Sequence, residues 1–329
     1  MISRLQLNLL LGAVLLIGLV PAVLFGEVAL TGTQLQQAFR DWTSAPGEIL
    51  WQVRAPRAVA AALTGGALGL AGAILQGLLR NPLADPGVLG VSATSAFAAS
   101  LAIVLGLALV PGVVEGAAWA GALLCGGALA AFTARIREPE ALILFGVALS
   151  SFFGATTALV FNLSPSPIAT AEVLGWLMGS VEARSWFDAI WAVPALALAL
   201  FLAWRAAPGL KMLTLGEEAA AASGLAMGRL KMAAVLSASL ATGAAVALAG
   251  VVGFVGLAAP HLVRRAARED PARLLVPSAL AGAAMLVLAD LAARMIPTDQ
   301  ELKLGVFTAL IGAPLFALIA WKAARSWRT

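Results

Sequence analysis

The sequence predicts an all-α polytopic membrane protein, and three observations carry that reading. Of its 329 residues, 61% are hydrophobic and only 12% charged, about half the charged fraction of an ordinary soluble domain. The apolar residues come in runs of about 17–25, the length that crosses a hydrocarbon core. The lysines and arginines fall mostly between those runs, gathered into alternate loops. With a mean hydropathy of +0.95, most of the chain must face lipid or other helices.

Nine runs meet the length requirement, near residues 7–25, 56–79, 88–109, 113–134, 141–162, 187–206, 231–249, 275–293 and 304–322. A tenth, 251–263, is too short to cross alone. Charge decides whether it returns the chain. If it does, one side holds Arg4, Arg80, Arg135, Arg137, Arg205, Lys211, Arg229, Lys231, Arg264, Arg265, Arg268, Arg273, Lys322, Arg325 and Arg328. The other side keeps Arg40, Arg54, Arg57, Arg184, Arg294 and Lys303. Fifteen against six is a strong positive-inside bias, and it collapses if 264–273 is moved across. Ten crossings with both termini cytoplasmic are therefore expected, forming one transmembrane domain over 1–329.

The first run follows Arg4 as a secretory signal would. Its apolar core is long and no small-x-small cleavage site follows closely, so a retained helix is expected. Trp42, Trp51 and Trp186 fall near the outer interface, and Trp204, Trp321 and Trp327 near the inner one, as in an aromatic belt. The isoelectric point near 10.0 does not point to nucleic acid, because the basic residues are scattered singly with no basic stripe. Cys125 is the lone cysteine and sits in an apolar run. No intrachain disulfide can form, and it reads as a buried packing residue.

Residues 55–91 are the most informative stretch. An apolar, small-residue-rich span is followed by Asn81-Pro82-Leu83-Ala84-Asp85-Pro86-Gly87, a turn that no helix interior would tolerate. A spanning helix ending in a shaped turn suggests a working part of a transporter. Residues 64–72 (TGGALGLAG) also echo 242–250 (TGAAVALAG). The two segments run in opposite directions in this topology, as an inverted repeat would. Close helix packing is the plainer explanation of the small residues.

Four motifs, in order along nearly the whole chain, resemble the FecCD family of permeases, which serve type II ABC importers of vitamin B12, haem and ferric siderophores. They are Arg54-Ala55-Pro56-Arg57, the 81–87 turn, Gly253-Phe254-Val255-Gly256-Leu257 with Pro260-His261-Leu262-Val263-Arg264, and 305–314 (GVFTALIGAP). The resemblance implies ten transmembrane helices per subunit, a homodimer with a second copy of the chain, and a bacterial inner-membrane location. It also implies two cytoplasmic ATPase subunits, a periplasmic substrate-binding protein and a metal-chelate cargo. The sequence has no G-x-x-x-x-G-K-[ST] phosphate loop. No cofactor is expected in this chain, and ATP and Mg belong to the partner ATPase.

The resemblance also assigns sites. The loop at about 207–230 is the expected ATPase-coupling segment, with Leu213, Gly216, Glu217, Glu218, Ser223, Gly224 and Leu225. Its alanines and glutamates favour a short helix, with Thr214 a suitable cap and Gly224 a suitable stop. Arg54, Arg57 and Arg294 match arginines that dock the binding protein through its glutamates. Asp290 lies four residues before Arg294, so a local pair is an alternative. Asn81, Pro82 and Leu83 match a cytoplasmic gate. The second gate loop reads Arg137-Glu138-Pro139-Glu140 and departs from the family's small hydroxyl residues. Glu172, Trp176 and Met178 fall in a segment resembling a short helix at the outer mouth. His261, the only histidine, reads as a structural hydrogen-bonding residue, and no metal site is expected.

An ion-coupled secondary transporter acting without an ATPase is the alternative function. Its ionisable mid-membrane relay has no match in these spans, where Asp188 and Asp290 lie near the ends. An intramembrane enzyme would need an H-E-x-x-H or paired carboxylates within a span, and neither is present. The cargo is expected to be a ferric siderophore or haem, with cobalamin as the further option.

Overall fold

The computed structural model describes residues 3–136, 139–296 and 301–326. Among these the fold is all helical. The main helices are α1 (Arg4–Leu24), α2 (Gly32–Arg40), α3 (Ala45–Glu48), α4 (Ala55–Leu78), α5 (Val91–Val104), α6 (Val113–Arg135), α7 (Pro139–Asn162) and α8 (Pro167–Met178). They are followed by α9 (Trp186–Met212), α10 (Glu217–Ala222), α11 (Met227–Ala249), α12 (Val255–Val263), α13 (Pro271–Met295) and α14 (Leu304–Ser326). Seven stretches, α1, residues 45–78, α6, α7, α9, α11 and α13, are long and apolar enough to span a membrane.

Helix starts follow local chemistry. Ser3 with Gln6, Thr31 with Gln34, and Ser185 with Asp188 form reciprocal capping boxes on α1, α2 and α9. Two expected spans come out short. Residues 88–109 hold a 14-residue helix, α5, flanked by 3-10 turns at Pro86–Leu89 and Leu107–Leu109. At 1.5 Å per residue α5 is about 21 Å long. The 251–263 run holds the nine-residue α12, about 14 Å.

The core is α4 with α11 and α13 packed against it. The spacing of Gly65, Gly69 and Gly72 puts all three on one face of α4. A Cβ there would run into the carbonyl oxygens of Gly282, Ser278 and Gly256 respectively. Absent side chains thus let the α13 and α12 backbones approach α4 directly, which is how helices associate where no hydrophobic drive separates protein from lipid. The echoed segments 64–72 and 242–250 lie on α4 and α11, two neighbouring helices that run in opposite directions. Cys125 is buried, with its thiol 3.6 Å from the Leu89 carbonyl oxygen.

With the α4 N-terminus taken as the upper end, Arg57, Asp290 and Glu301 bring the end of α13 and the approach to α14 there. Trp186 Nε1 donates to the Trp51 carbonyl at 2.8 Å and fixes the start of α9 at the same end. At the lower end, Lys211 faces Asp270, and Arg4 shares a small cleft with Arg268 and Arg273. Of the second expected gate loop, 137–140, Arg137 and Glu138 lie outside the described residues, as do Trp327 and Arg328, while Pro139 and Glu140 open α7.

Candidate translocation and coupling sites

A cavity of about 520 Å³ lies between α4, α5, α7, α8 and two stretches of backbone outside the α-helices. The first stretch, 85–87, belongs to the turn after α4; the second, 251–253, separates α11 from α12. Irregular backbone among apolar helices is tolerated where it is buried in protein or lines a cavity. The wall is almost wholly apolar, with Leu68, Phe161, Leu174 and Leu177 among its residues; Asp85, Ser92 and Thr157 supply the polar side chains. Asp85 Oδ1 accepts the Gly87 N–H at 2.8 Å and starts the 3-10 turn. Phe254 opens α12 with φ of 67°, a left-handed conformation rare for an aromatic residue and costing about 1–3 kcal/mol.

At the upper rim, three segments meet backbone to backbone. Ser180 N donates to Ala249 O at 2.7 Å, and Val251 N to Trp176 O at 3.2 Å. Gly305 opens α14 against the carbonyls of Met178 and Val251, where a Cβ would collide. None of the expected outer-mouth residues lines this cavity; Glu172 and Trp176 line a separate cleft with Glu182, Arg184 and Lys303. Trp176 carries the Arg184 guanidinium over its ring at 5.9 Å, Glu172 is exposed, and Met178 is 39% exposed. Arg184 also pairs with Glu115 at 2.9 Å, and Lys303 with Glu182 at 2.7 Å.

Arg54, Arg57 and Arg294 come together in one upper cluster, and each is already engaged. Arg54, 4% exposed, donates Nη1 to Leu24 O at 2.6 Å and Nη2 to Val28 O. Arg294 donates to Ala22 O at 3.0 Å and Phe25 O at 3.3 Å. Both thereby satisfy carbonyls at the C-terminal end of α1, where cations are favoured. Arg294 also pairs with Asp290 at 3.1 Å, the local pair that the spacing allowed. Arg57 forms a fork to Asp290 and Glu301.

At the lower end, the 81–83 turn projects from the end of α4. Asn81 Oδ1 accepts the Leu83 N–H at 2.9 Å, and Leu83 is 52% exposed. Gln76 ties this turn to α12. Its Nε2 reaches Ala84 O at 3.4 Å and Gly256 O at 3.4 Å, and its Oε1 accepts from Arg264 Nη2. Gln76 and Asp85 were not assigned from the sequence. The signal for Gln76 was a polar residue inside an otherwise apolar run.

The 213–225 segment has two faces. Leu213 and Ala220 are fully buried, while Leu215, Glu218 and Ser223 are exposed. Glu217 turns inward to Lys231 of α11 at 3.2 Å. The short helix is present as α10, but Thr214 does not cap it. Its hydroxyl donates to Lys211 O at 2.7 Å, and Gly216, with φ of 99°, starts the helix instead. Gly224, with φ of 87°, ends it in a Schellman arrangement. Leu225 N donates to Ala220 O at 3.2 Å and Gly224 N to Ala221 O at 2.9 Å.

The His261 imidazole makes no hydrogen bond among the described residues, so the hydrogen-bonding role expected for it is not seen. No group of three or more His, Cys, Asp or Glu side chains there could hold a metal ion.

The model of the FecCD transport family matches residues 14–322. The chain belongs to the FecCD transport family. Among its relatives, the uncharacterized ABC transporter permease protein YvrB of Bacillus subtilis (strain 168) is 40% identical over 287 residues, covering 85% of this chain and 81% of that protein. The vitamin B12 import system permease protein BtuC of Salmonella typhi is 38% identical over 289 residues, 87% of each. A solved structure of a metal-chelate type ABC transporter in an inward-facing conformation superposes with a TM-score of 0.81 at 31% identity. It covers 97% of this chain and 100% of that one.

Proposed function

We propose that this chain is the permease subunit of an ABC-type importer that moves a metal chelate across the bacterial inner membrane. The two-faced 213–225 segment is the observation that supports this most. Leu213, Ala220 and the Glu217–Lys231 pair bind it to the membrane helices. Its other face, with Leu215, Glu218 and Ser223, is free for a partner. Such a segment transmits a push without doing chemistry, as expected of a conduit whose ATP is hydrolysed on separate subunits.

In this reading two copies of the chain form the pathway, each crossing the membrane ten times with both termini cytoplasmic. Helices α5 and α12 are short, and the re-entrant turns beside them complete those two crossings. The lower end is cytoplasmic, where two ATPase subunits seat on α10. Closure of the ATPases draws on the 81–83 turn through the α4 end, since a Cβ at Gly77 would meet Leu210 of α9 at 3.7 Å. A loaded binding protein docks on the upper face through the arginine cluster. Each step works by binding one conformation better than another. The almost wholly apolar cavity wall suits a large cargo that must pass without sticking. A ferric siderophore or haem, or cobalamin, fits that description.

The test is ATP-dependent uptake of haem, a ferric siderophore panel and cobalamin into liposomes holding this chain, its cognate ATPase and its binding protein. Uptake of one cargo that requires all three components is the expected result. Uptake that persists without ATP or the ATPase would sink the reading.

A further inference from the structure

The upper arginine cluster holds more carboxylate than its place in the fold requires, and the extra one is Glu301. An arginine has five N–H donors in a rigid fork. Arg57 spends Nε on Asp290 at 3.1 Å and Nη1 on Glu301 at 3.0 Å. Its Nη2 is shared between Asp290, at 2.8 Å, and Glu301. The two carboxylates are held very differently. Asp290 sits inside α13, is 1% exposed, and also receives Arg294. Glu301 lies on the non-helical approach to α14, and among the described residues Arg57 alone holds its carboxylate. It grips both terminal nitrogens of the fork side by side, as a planar carboxylate from another protein would.

Charge points the same way. Arg54, Arg57 and Arg294 face Asp290, Glu301 and the nearby Glu27, a balanced set that gains one positive charge if Glu301 leaves. An acidic partner therefore gains most from the cluster when Glu301 is out.

We infer that Glu301 is a stand-in ligand: it occupies, within the chain, the place on Arg57 that a docking partner's carboxylate takes, and docking proceeds by exchange of one for the other. This rests on the reading that the upper face receives a binding protein. The exchange has a mechanical consequence. Glu301 is followed by Lys303, paired with Glu182, and by Gly305, seated on the carbonyls of Met178 and Val251. Val251 lines the cavity. Freeing Glu301 releases the leading end of α14 at the rim, so that docking and opening of the upper mouth become one event. Until then the arginine fork stays covered, which guards a cationic surface against stray anions.

The experiment measures affinity of the binding protein for the complete importer in nanodiscs, at two salt concentrations. Glu301→Gln removes the competing charge and keeps the side chain's size; it is expected to tighten docking about tenfold, with salt dependence retained. Glu301→Asp keeps the charge and shortens the reach, and is expected to tighten docking about threefold. It serves as the test if the glutamine variant does not fold. In an Arg57→Gln background the Glu301→Gln change is expected to do nothing. Unchanged or weaker docking in both Glu301 variants would overturn the inference and leave a permanent structural ion pair. If the unmodified importer binds and Arg57→Gln weakens it, that failure is confined to Glu301. If the unmodified importer does not bind, or binds regardless of Arg57, the docking reading falls and the inference with it.

Discussion

The most apolar stretches of the 45–78 span, which ends in α4, and of α7 have the same mean hydropathy, yet 78% of the first is buried in the chain and only 11% of the second. The difference lies in side-chain size. On α4, Gly65, Gly69 and Gly72 let neighbouring backbones touch the helix. On α7, Gly154 has no atom within 4 Å of where a Cβ would be, and Leu144, Val147, Phe152 and Leu159 are exposed. Hydropathy counts the helices that leave water; size decides which bury themselves in their own chain. One face of α7 reaches the cavity through Gly154, Thr157, Ala158 and Phe161. The rest is left to lipid or, in the proposed dimer, to a second copy.

The largest effect should come from filling the α4 contact. Gly72→Val puts a branched side chain onto the Gly256 backbone and is expected to cost about 3 kcal/mol, read as a lost or much lowered thermal midpoint in detergent. Gly154→Val should leave that midpoint nearly unchanged while cutting ATP-dependent uptake, because it narrows the cavity. Equal destabilisation by the two would break the comparison.

The same contrast between held and open surfaces divides the 213–225 segment. Changing Glu217 and Glu218 together to Lys should uncouple hydrolysis from transport. Of the two, Glu217→Lys sets a like charge against Lys231 and should carry most of the loss. A double-mutant cycle between Glu217→Gln and Lys231→Met on thermal unfolding should return about 2 kcal/mol of coupling. Normal transport per ATP in the double lysine variant would show that the segment does not couple.

The smallest expected effect concerns the cavity wall. Asp85→Asn keeps an acceptor for the Gly87 N–H and should leave stability within a few tenths of a kcal/mol, whereas Asp85→Ala should cost about 1 kcal/mol. Equal losses in thermal unfolding would mean that the charge, and not the turn bond, is what Asp85 provides.

Much of this was legible in the chain. The apolar runs place the principal helices to within a few residues, because burying backbone polar groups in lipid demands helices of that length. The 81–87 turn, the short 251–263 run and the Gly224 stop could also be read, since proline and glycine act locally. Thr214 misled because it lies inside the 3-10 turn Leu213–Leu215, two residues before Gly216, which takes the cap position of α10. Arg54 and Arg294 read as surface arginines, since nothing local shows that the end of α1 offers them carbonyls.

The sequence by itself determined an all-helical membrane protein, the number and order of its apolar runs, and the residues rich in turn chemistry, because each depends on composition within one turn or one span. Only the tertiary structure decided which apolar faces are core, that Arg57 answers to Asp290 and Glu301 across more than two hundred residues, and that Asp85 faces a cavity. Those outcomes depend on which backbones come close enough to touch, and separation along the chain carries no record of that.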